Sequence, residues 1–239
     1  MKLLITSLMI AIAVVTLISA QEESASPAEG AKTYPGVPKE YEVGESTVSP
    51  DGRFAILYEV RDADSNVDPG LPNLLVRLKP YQVLKEIETG DGVTWKDGRG
   101  AVAAKWGGNQ FVAIWRQMKW GNEDLVVYEL ANDKIKREEK KIWPEVVKYF
   151  DRDWKNRFLK KYPKEASDRY FFTSDDSQFK NFEFNGDTLL LDIRAENNPN
   201  LAPGPIWSAE LRAVWNLKSS KFTKVDFKPG EIGVRKPED

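Results

Sequence analysis

The chain contains no cysteine and no histidine. Without cysteine it can form no disulfide, so burial alone must stabilise the fold. A lipid anchor attached through a Cys at a leader cleavage site is excluded for the same reason. Without histidine there is no Ser-His-Asp triad, no Cys-His pair and no zinc site of the usual ligand type. The side chain that titrates unaided near neutral pH is also missing. Any catalysis is therefore restricted to carboxylates, Lys, Tyr or an oxygen-ligated metal, and the expectation is a chain without cofactor. An excess of either charge is lacking too. Lys and Arg total 35 against 37 for Asp and Glu, a balance that argues against a dedicated nucleic-acid binder.

What is present begins with an apolar run. Lys2 is followed by uncharged, mostly apolar residues from Leu3 to Ile18, then the small pair Ser19-Ala20. A charged start, an apolar middle and a small residue before the cut are what signal peptidase reads. Glu22 and Glu23 follow in place of a basic stop-transfer cluster. Residues 1–20 are thus expected to be a cleaved export signal, with a secreted or periplasmic product. An uncleaved leader would be the only membrane element. Its removal takes away one Lys and no acidic residue, moving the net charge from −2 to about −3.

Residues 21–44 are rich in Ser, Pro, Glu, Ala and Gly without apolar periodicity, and read as a flexible lead-in. From Glu45 the pattern is β-rich. Ser49-Pro50-Asp51-Gly52 is a turn signal feeding a strand in which Phe54, Ile56, Tyr58 and Val60 alternate onto one face. Leu74–Leu78 and Gln82–Glu88 are two further strands. A second unit follows in Ala101–Trp106, Phe111–Arg116, Leu125–Leu130 and Lys134–Ile142, with turns at Gly107-Gly108-Asn109 and Asn132-Asp133. A third runs through Phe179–Phe184, Thr188–Arg194, Trp207–Leu217 and Lys221–Phe227, with Asn185-Gly186-Asp187 as its hairpin signal. In each unit a very apolar second strand ends in Arg: Arg61, Arg116 and Arg194. Between the second and third units, Val146, Val147, Phe150, Trp154, Phe158 and Tyr162 fall at helical spacing, with Pro144 suited to a first helical position.

Four antiparallel strands in about 45 residues, repeated, is the pattern of a propeller blade. The string Ser49-Pro50-Asp51-Gly52-Arg53-Phe54-Ala55 resembles the turn between the first two strands of blades in WD-repeat-like β-propellers. The resemblance covers roughly residues 45–230, and the whole pattern resembles exported bacterial proteins with a blade-like β domain. It implies a fold and brings no activity with it. Only the first unit carries the string cleanly, no Trp-Asp pair closes a unit, and three units are fewer than closed propellers typically have. The expected architecture is all-β: three blade-like four-stranded antiparallel units, as a partial propeller or a distorted sandwich. One amphipathic helix is inserted at about 144–162, the β domain spans 45–230, and a tail follows at 231–239.

Several constellations have two readings. Asp62, Asp64, Asn66 and Asp68 space oxygen ligands as calcium loops do, yet Val67 replaces the turn glycine and Asn73 stands where the closing Glu belongs. A solvated turn is the plainer account, and no metal site is assigned. Arg61, Arg116 and Arg194 are candidate binding residues if they converge on one rim, since guanidinium groups suit carboxylate or phosphate. Alternatively each pairs with a neighbouring acid such as Glu59 or Asp192. The basic helix either lies on an anionic surface or packs its apolar face on the sheets. Trp106, Trp115, Trp120, Trp207 and Trp215 either stack on sugars or fill the core. The carboxylate pairs Asp175/Asp176 and Asp151/Asp153 are the only catalytic candidates, and neither stands out.

The reading is an exported, non-enzymatic binding or scaffold module that meets another protein or a glycan through loops 62–73 and 195–205. A carboxylate-based glycan hydrolase and a calcium-dependent surface protein are the alternatives. Expression with the native leader in a bacterial host should yield a mature chain beginning at Gln21. Intact mass and N-terminal sequencing check this, and a retained Met1 would refute the cleavage.

Overall fold

The computed structural model describes residues 34–60, 71–87, 100–118, 121–167, 170–173, 182–197 and 204–235. Residues 1–20, expected to be an export signal, therefore lie outside the described residues. No helix among them is long and apolar enough to cross a membrane.

Three antiparallel sheets follow one another along the chain. Sheet 1 is a meander of β1 (Tyr41–Val43), β2 (Phe54–Glu59), β3 (Asn73–Leu78) and β4 (Tyr81–Ile87). Sheet 2 comprises β5 (Gly100–Gly107), β6 (Phe111–Met118), β7 (Gly121–Ala131) and β8 (Lys134–Glu139). Helix α1 (Ile142–Asp153) comes next and continues as a π-helical stretch over Trp154–Leu159. Sheet 3 holds β9 (Tyr170–Thr173), β10 (Phe182–Asn185), β11 (Thr188–Asn197), β12 (Gly204–Asn216) and β13 (Lys221–Arg235). Its first edge is shared, since β10 pairs with residues 188–191 of β11 and β9 with residues 194–197. Among the described residues the sheets form no closed barrel.

The apolar second strand of sheet 1 explains why the units stack. Alternation predicted one buried face on β2, but Phe54, Ala55, Ile56, Leu57 and Tyr58 are all buried. Val60, expected on that face, lies beyond the strand and is 47% exposed. A strand buried on both sides needs a layer on each side. On one side, Ile56, Tyr58, Leu75 and Ile87 pack with Val112, Ile114, Val126 and Tyr128 of sheet 2. On the other, Ala55, Leu57, Leu74, Val76 and Leu78 are covered by Tyr34, Val37, Tyr41, Val43 and Val48. Part of the expected lead-in is thus integral to the fold: β1 pairs Tyr41 with Glu59, and the chain before it lies on the sheet.

Sheet 2 is likewise covered twice. Its second face, with Phe111, Ala113, Trp115, Leu125 and Val127, shares a core with α1 and the inner face of sheet 3. Helix residues Ile142, Trp143, Val146, Phe150, Trp154 and Phe158 enter that core, which settles the amphipathic helix as a packing element. Val147 and Tyr162, expected on the same face, reach only its margin. The helix begins two residues earlier than Pro144 suggested, and β8 stops at Glu139 instead of running to Ile142. The cause is local: the Glu139 carboxylate accepts the Lys141 amide at 2.9 Å, turning the chain and placing negative charge at the helix start. Pro144 remains within the first turn, where a missing N–H costs nothing.

Differences at the other end concern extent. β13 continues to Arg235, so residues 231–235 belong to the sheet and not to a tail. Strand β9 was not expected; it is short, and its partner lies on the far half of β11.

A buried carboxylate joins helix and sheet 3. Asp153 is 8% exposed. It accepts the Trp207 indole N–H at 2.9 Å and Arg157 at 3.2 and 3.3 Å. Asp153→Ala leaves the buried Trp207 indole N–H unpaired and removes the carboxylate partner of Arg157, so urea unfolding should show a loss of about 3 kcal/mol. A loss under about 0.5 kcal/mol would show that the contact is dispensable.

Candidate functional site

The Ser49–Arg53 string builds a polar clasp. Ser49 Oγ donates to Asp51 at 2.7 Å and accepts the Phe54 amide at 2.9 Å. Gly52, at φ +70°, closes the turn. Arg53 Nε reaches Asp51 at 2.6 Å, and its Nη1 reaches Asp133 of sheet 2 at 2.7 Å. Arg77 joins the same Asp133 at 3.2 Å, and Asn109 accepts the Asp51 amide at 3.2 Å. Asn132 and Asp133 both have positive φ, which suits a tight two-residue hairpin turn and presents the Asp133 carboxylate to both arginines. Burial opposes ionisation of Asp51, but hydrogen bonds from Arg53 and Ser49 outweigh it and hold the carboxyl below its usual range. The motif behind the family resemblance thus ties sheet 1 to sheet 2.

A second clasp ties sheet 2 to sheet 3. Glu129, on β7 and nearly buried, binds Lys136 at 2.7 Å and Arg137 at 3.2 Å. Arg137 also donates to the Leu217 carbonyl, and Ser220 donates to Glu139. Trp106, Trp115, Trp207 and Trp215 are half-buried or buried packing residues; Trp120 lies outside the described residues.

Of the three arginines named as candidate binding residues, only the side chain of Arg194 falls within what the structure describes. Arg61 lies outside the described residues, as do the 62–68 acidic run and Asp175-Asp176. Arg116 is on β6, its backbone paired with Val102 and Asp124, and its side chain is outside the described set. Arg194 is exposed on β11. The expected loop 195–205 is shorter than sequence suggested. Residues 195–197 end β11 and 204–205 begin β12, because Asn197 accepts the Trp207 amide and donates to the Pro205 carbonyl, both at 2.7 Å. Of loop 62–73, Asn73 opens β3. Asp151 accepts the Tyr170 hydroxyl at 2.7 Å and Asp153 accepts the Trp207 indole N–H, so both carboxylates are engaged within the fold. Asp192 pairs with Arg212 at 3.1 Å.

Arg194 leads to a feature that spacing alone did not expose: the outer face of sheet 3. Along β11, Leu189, Leu191, Ile193 and Ala195 point into the core, leaving Leu190, Asp192, Arg194 and Glu196 outward. Strand register sets Asp192 beside Arg212 and Arg212 beside Asp226. The adjacent row sets Arg194 beside Glu210 and Glu210 beside Lys228. One row reads minus, plus, minus; the next reads plus, minus, plus. Above them, Leu190, Val214 and Lys224 form a third row. A hollow of about 460 Å³ lies over this face, lined by Leu190, Asp192, Arg212, Val214, Lys224 and Asp226 among others. A second, polar cleft of about 40 Å³ beside β4 and β8 holds Glu138, already bound by Tyr128 at 3.1 Å and Lys140 at 3.0 Å. No group of three acidic side chains able to hold a metal occurs among the described residues.

No family model, no curated protein and no solved structure matches this chain.

The second clasp is open to a pH test. The hydrogen bond from Lys136, with Arg137 nearby, outweighs burial and holds the Glu129 carboxyl below its ordinary 4.5. A depressed carboxyl stabilises the fold above its unfolded value, and that stability is lost as pH falls through the folded value. Glu129→Gln should cost about 1–3 kcal/mol at pH 7 and markedly less at pH 3. Equal deficits in urea melts at both pH values would contradict the assignment.

Proposed function

We propose that this chain is an exported, non-enzymatic binding or scaffold module whose recognition surface is the outer face of sheet 3. The observation that carries the reading is the division of labour among the sheet faces. The central strands of sheets 1 and 2 are buried on both faces, and the inner face of sheet 3 is committed to packing. The outer face of sheet 3 is left to solvent, with ordered charges of both signs beside a hollow. Such a face suits a protein surface better than a small substrate, because its groups are spread over three strands. Leu190 and Val214 add a modest apolar patch alongside the charged rows. The blade-like form of the units supports the scaffold sense of the proposal: stacked sheets provide a rigid support for one presented face.

Site-specific photo-crosslinking tests it. A benzoylphenylalanine placed at Val214 should give discrete protein adducts in the producing cell, and one at exposed Lys155 on the helix should not. Absence of adducts at 214, or the same adducts at both positions, would refute the reading.

A further inference from the structure

We infer that the outer face of sheet 3 is a self-complementary interface that pairs with a second copy of this chain. The inference rests on the proposed recognition role of that face and names its partner. Its basis is the relation between the two charged rows. Asp192, Arg212 and Asp226 lie side by side on three strands, and Arg194, Glu210 and Lys228 lie on the same strands two residues away. Each position in one row has the opposite sign in the other. Register is unbroken over these residues, since the irregularities of the β12–β13 pair fall at 207–209 and 214–215. Strands sit about 4.8 Å apart and a two-residue step covers about 6.7 Å, so the six charges form a nearly regular grid.

A two-fold axis lying in this face, across the strands and midway between the rows, exchanges the rows between copies. Asp192 then meets Arg194 of the second copy, Arg212 meets Glu210, and Asp226 meets Lys228. Every contact occurs twice, as an isologous interface requires. An unrelated partner would have to present the inverse grid at the same spacing, whereas this chain carries that inverse one row away. The groups are accessible for the purpose: Asp192 and Arg212 are 55% and 62% exposed, and Asp226 and Lys228 are 50% and 58% exposed. The copies would join with their strands aligned, as packed sheets do. Because exposed ion pairs are individually weak and screened by salt, the dimer is of modest affinity and dissociates as ionic strength rises.

The test exploits the exchange of rows. In sedimentation velocity at low salt, the wild-type chain should dimerise with rising concentration and return to monomer at about 0.5 M salt. Arg212→Glu alone sets Glu against Glu210 of the second copy, and Glu210→Arg alone sets Arg against Arg212. Each variant should self-associate about tenfold or more weakly. Mixing the two restores opposite signs at all four central positions, so the heterodimer should form with near wild-type affinity. Circular dichroism melts confirm that each variant is folded. Asp192→Lys and Arg194→Glu provide the same exchange at the neighbouring strand if the first pair folds poorly. A wild-type chain that stays monomeric at low salt, or folded variants that remain monomeric when mixed, would overturn the inference. Crosslinks from position 214 to a different protein without self-association would sink this inference alone, while absence of any adduct would sink the recognition reading as well.

Discussion

Sheet 2 is apolar on both of its faces, and the rest of the structure follows from covering them. Val112, Ile114, Val126 and Tyr128 turn to sheet 1, while Phe111, Ala113, Trp115, Leu125 and Val127 turn to sheet 3 and the helix. With no cysteine in the chain, this double coverage by apolar burial supplies the cohesion between the layers. Sheet 1 inherits the same problem on its far side and solves it with the segment from Tyr34 to Val48. Sheet 3 solves it differently, by turning polar on its outer face.

The helix is a consequence of geometry between unlike layers. Its aromatic residues fill the space between sheets 2 and 3, where Trp143 meets Trp115 at 4.7 Å and Trp154 meets Trp207 at 5.1 Å in edge-on contacts. Polar groups then fix what apolar packing leaves free. Asp153 holds the helix to Trp207, Asp133 gathers two arginines from sheet 1, and Arg137 reaches across to the Leu217 carbonyl. Hydrophobic burial is non-directional, whereas these contacts define how one layer sits on the next. The helix also serves the long last strand, since Arg157 and Tyr162 donate to the Gly230 and Gly233 carbonyls. An edge satisfied in this way is a poorer template for unwanted strand pairing.

How far the candidate surface was legible can be judged residue by residue. Arg194 was singled out for its place at the end of an apolar strand, and it does lie on the exposed face. Its companions Glu210 and Lys228 are far away in sequence and became neighbours only through register. Asp192 and Arg194 are two apart on one strand, so a pairing between them looked natural; Asp192 instead meets Arg212 across the ladder. The Ser-Pro-Asp-Gly-Arg string was visible as a turn, but its grip on Asp133 depends on a second sheet being docked beside it. The lead-in was underestimated because Tyr34, Val37 and Tyr41 have no periodicity of their own. They are ordered by an apolar face already formed by other strands.

What the sequence by itself determined is local: the turns at Gly52, Asn132-Asp133 and Gly186, the apolar strands that follow them, the helix, and the grouping into three antiparallel units, to the last of which the structure adds a fifth strand. Backbone preferences and apolar periodicity act over a few residues, so a linear reading captures them. Only the tertiary structure decided which faces are buried against which, that residues 34–43 belong to the fold, and that two rows of alternating charge stand side by side on sheet 3. Those outcomes depend on register and on layer contacts between residues far apart in the chain, where a one-residue slip would exchange the faces.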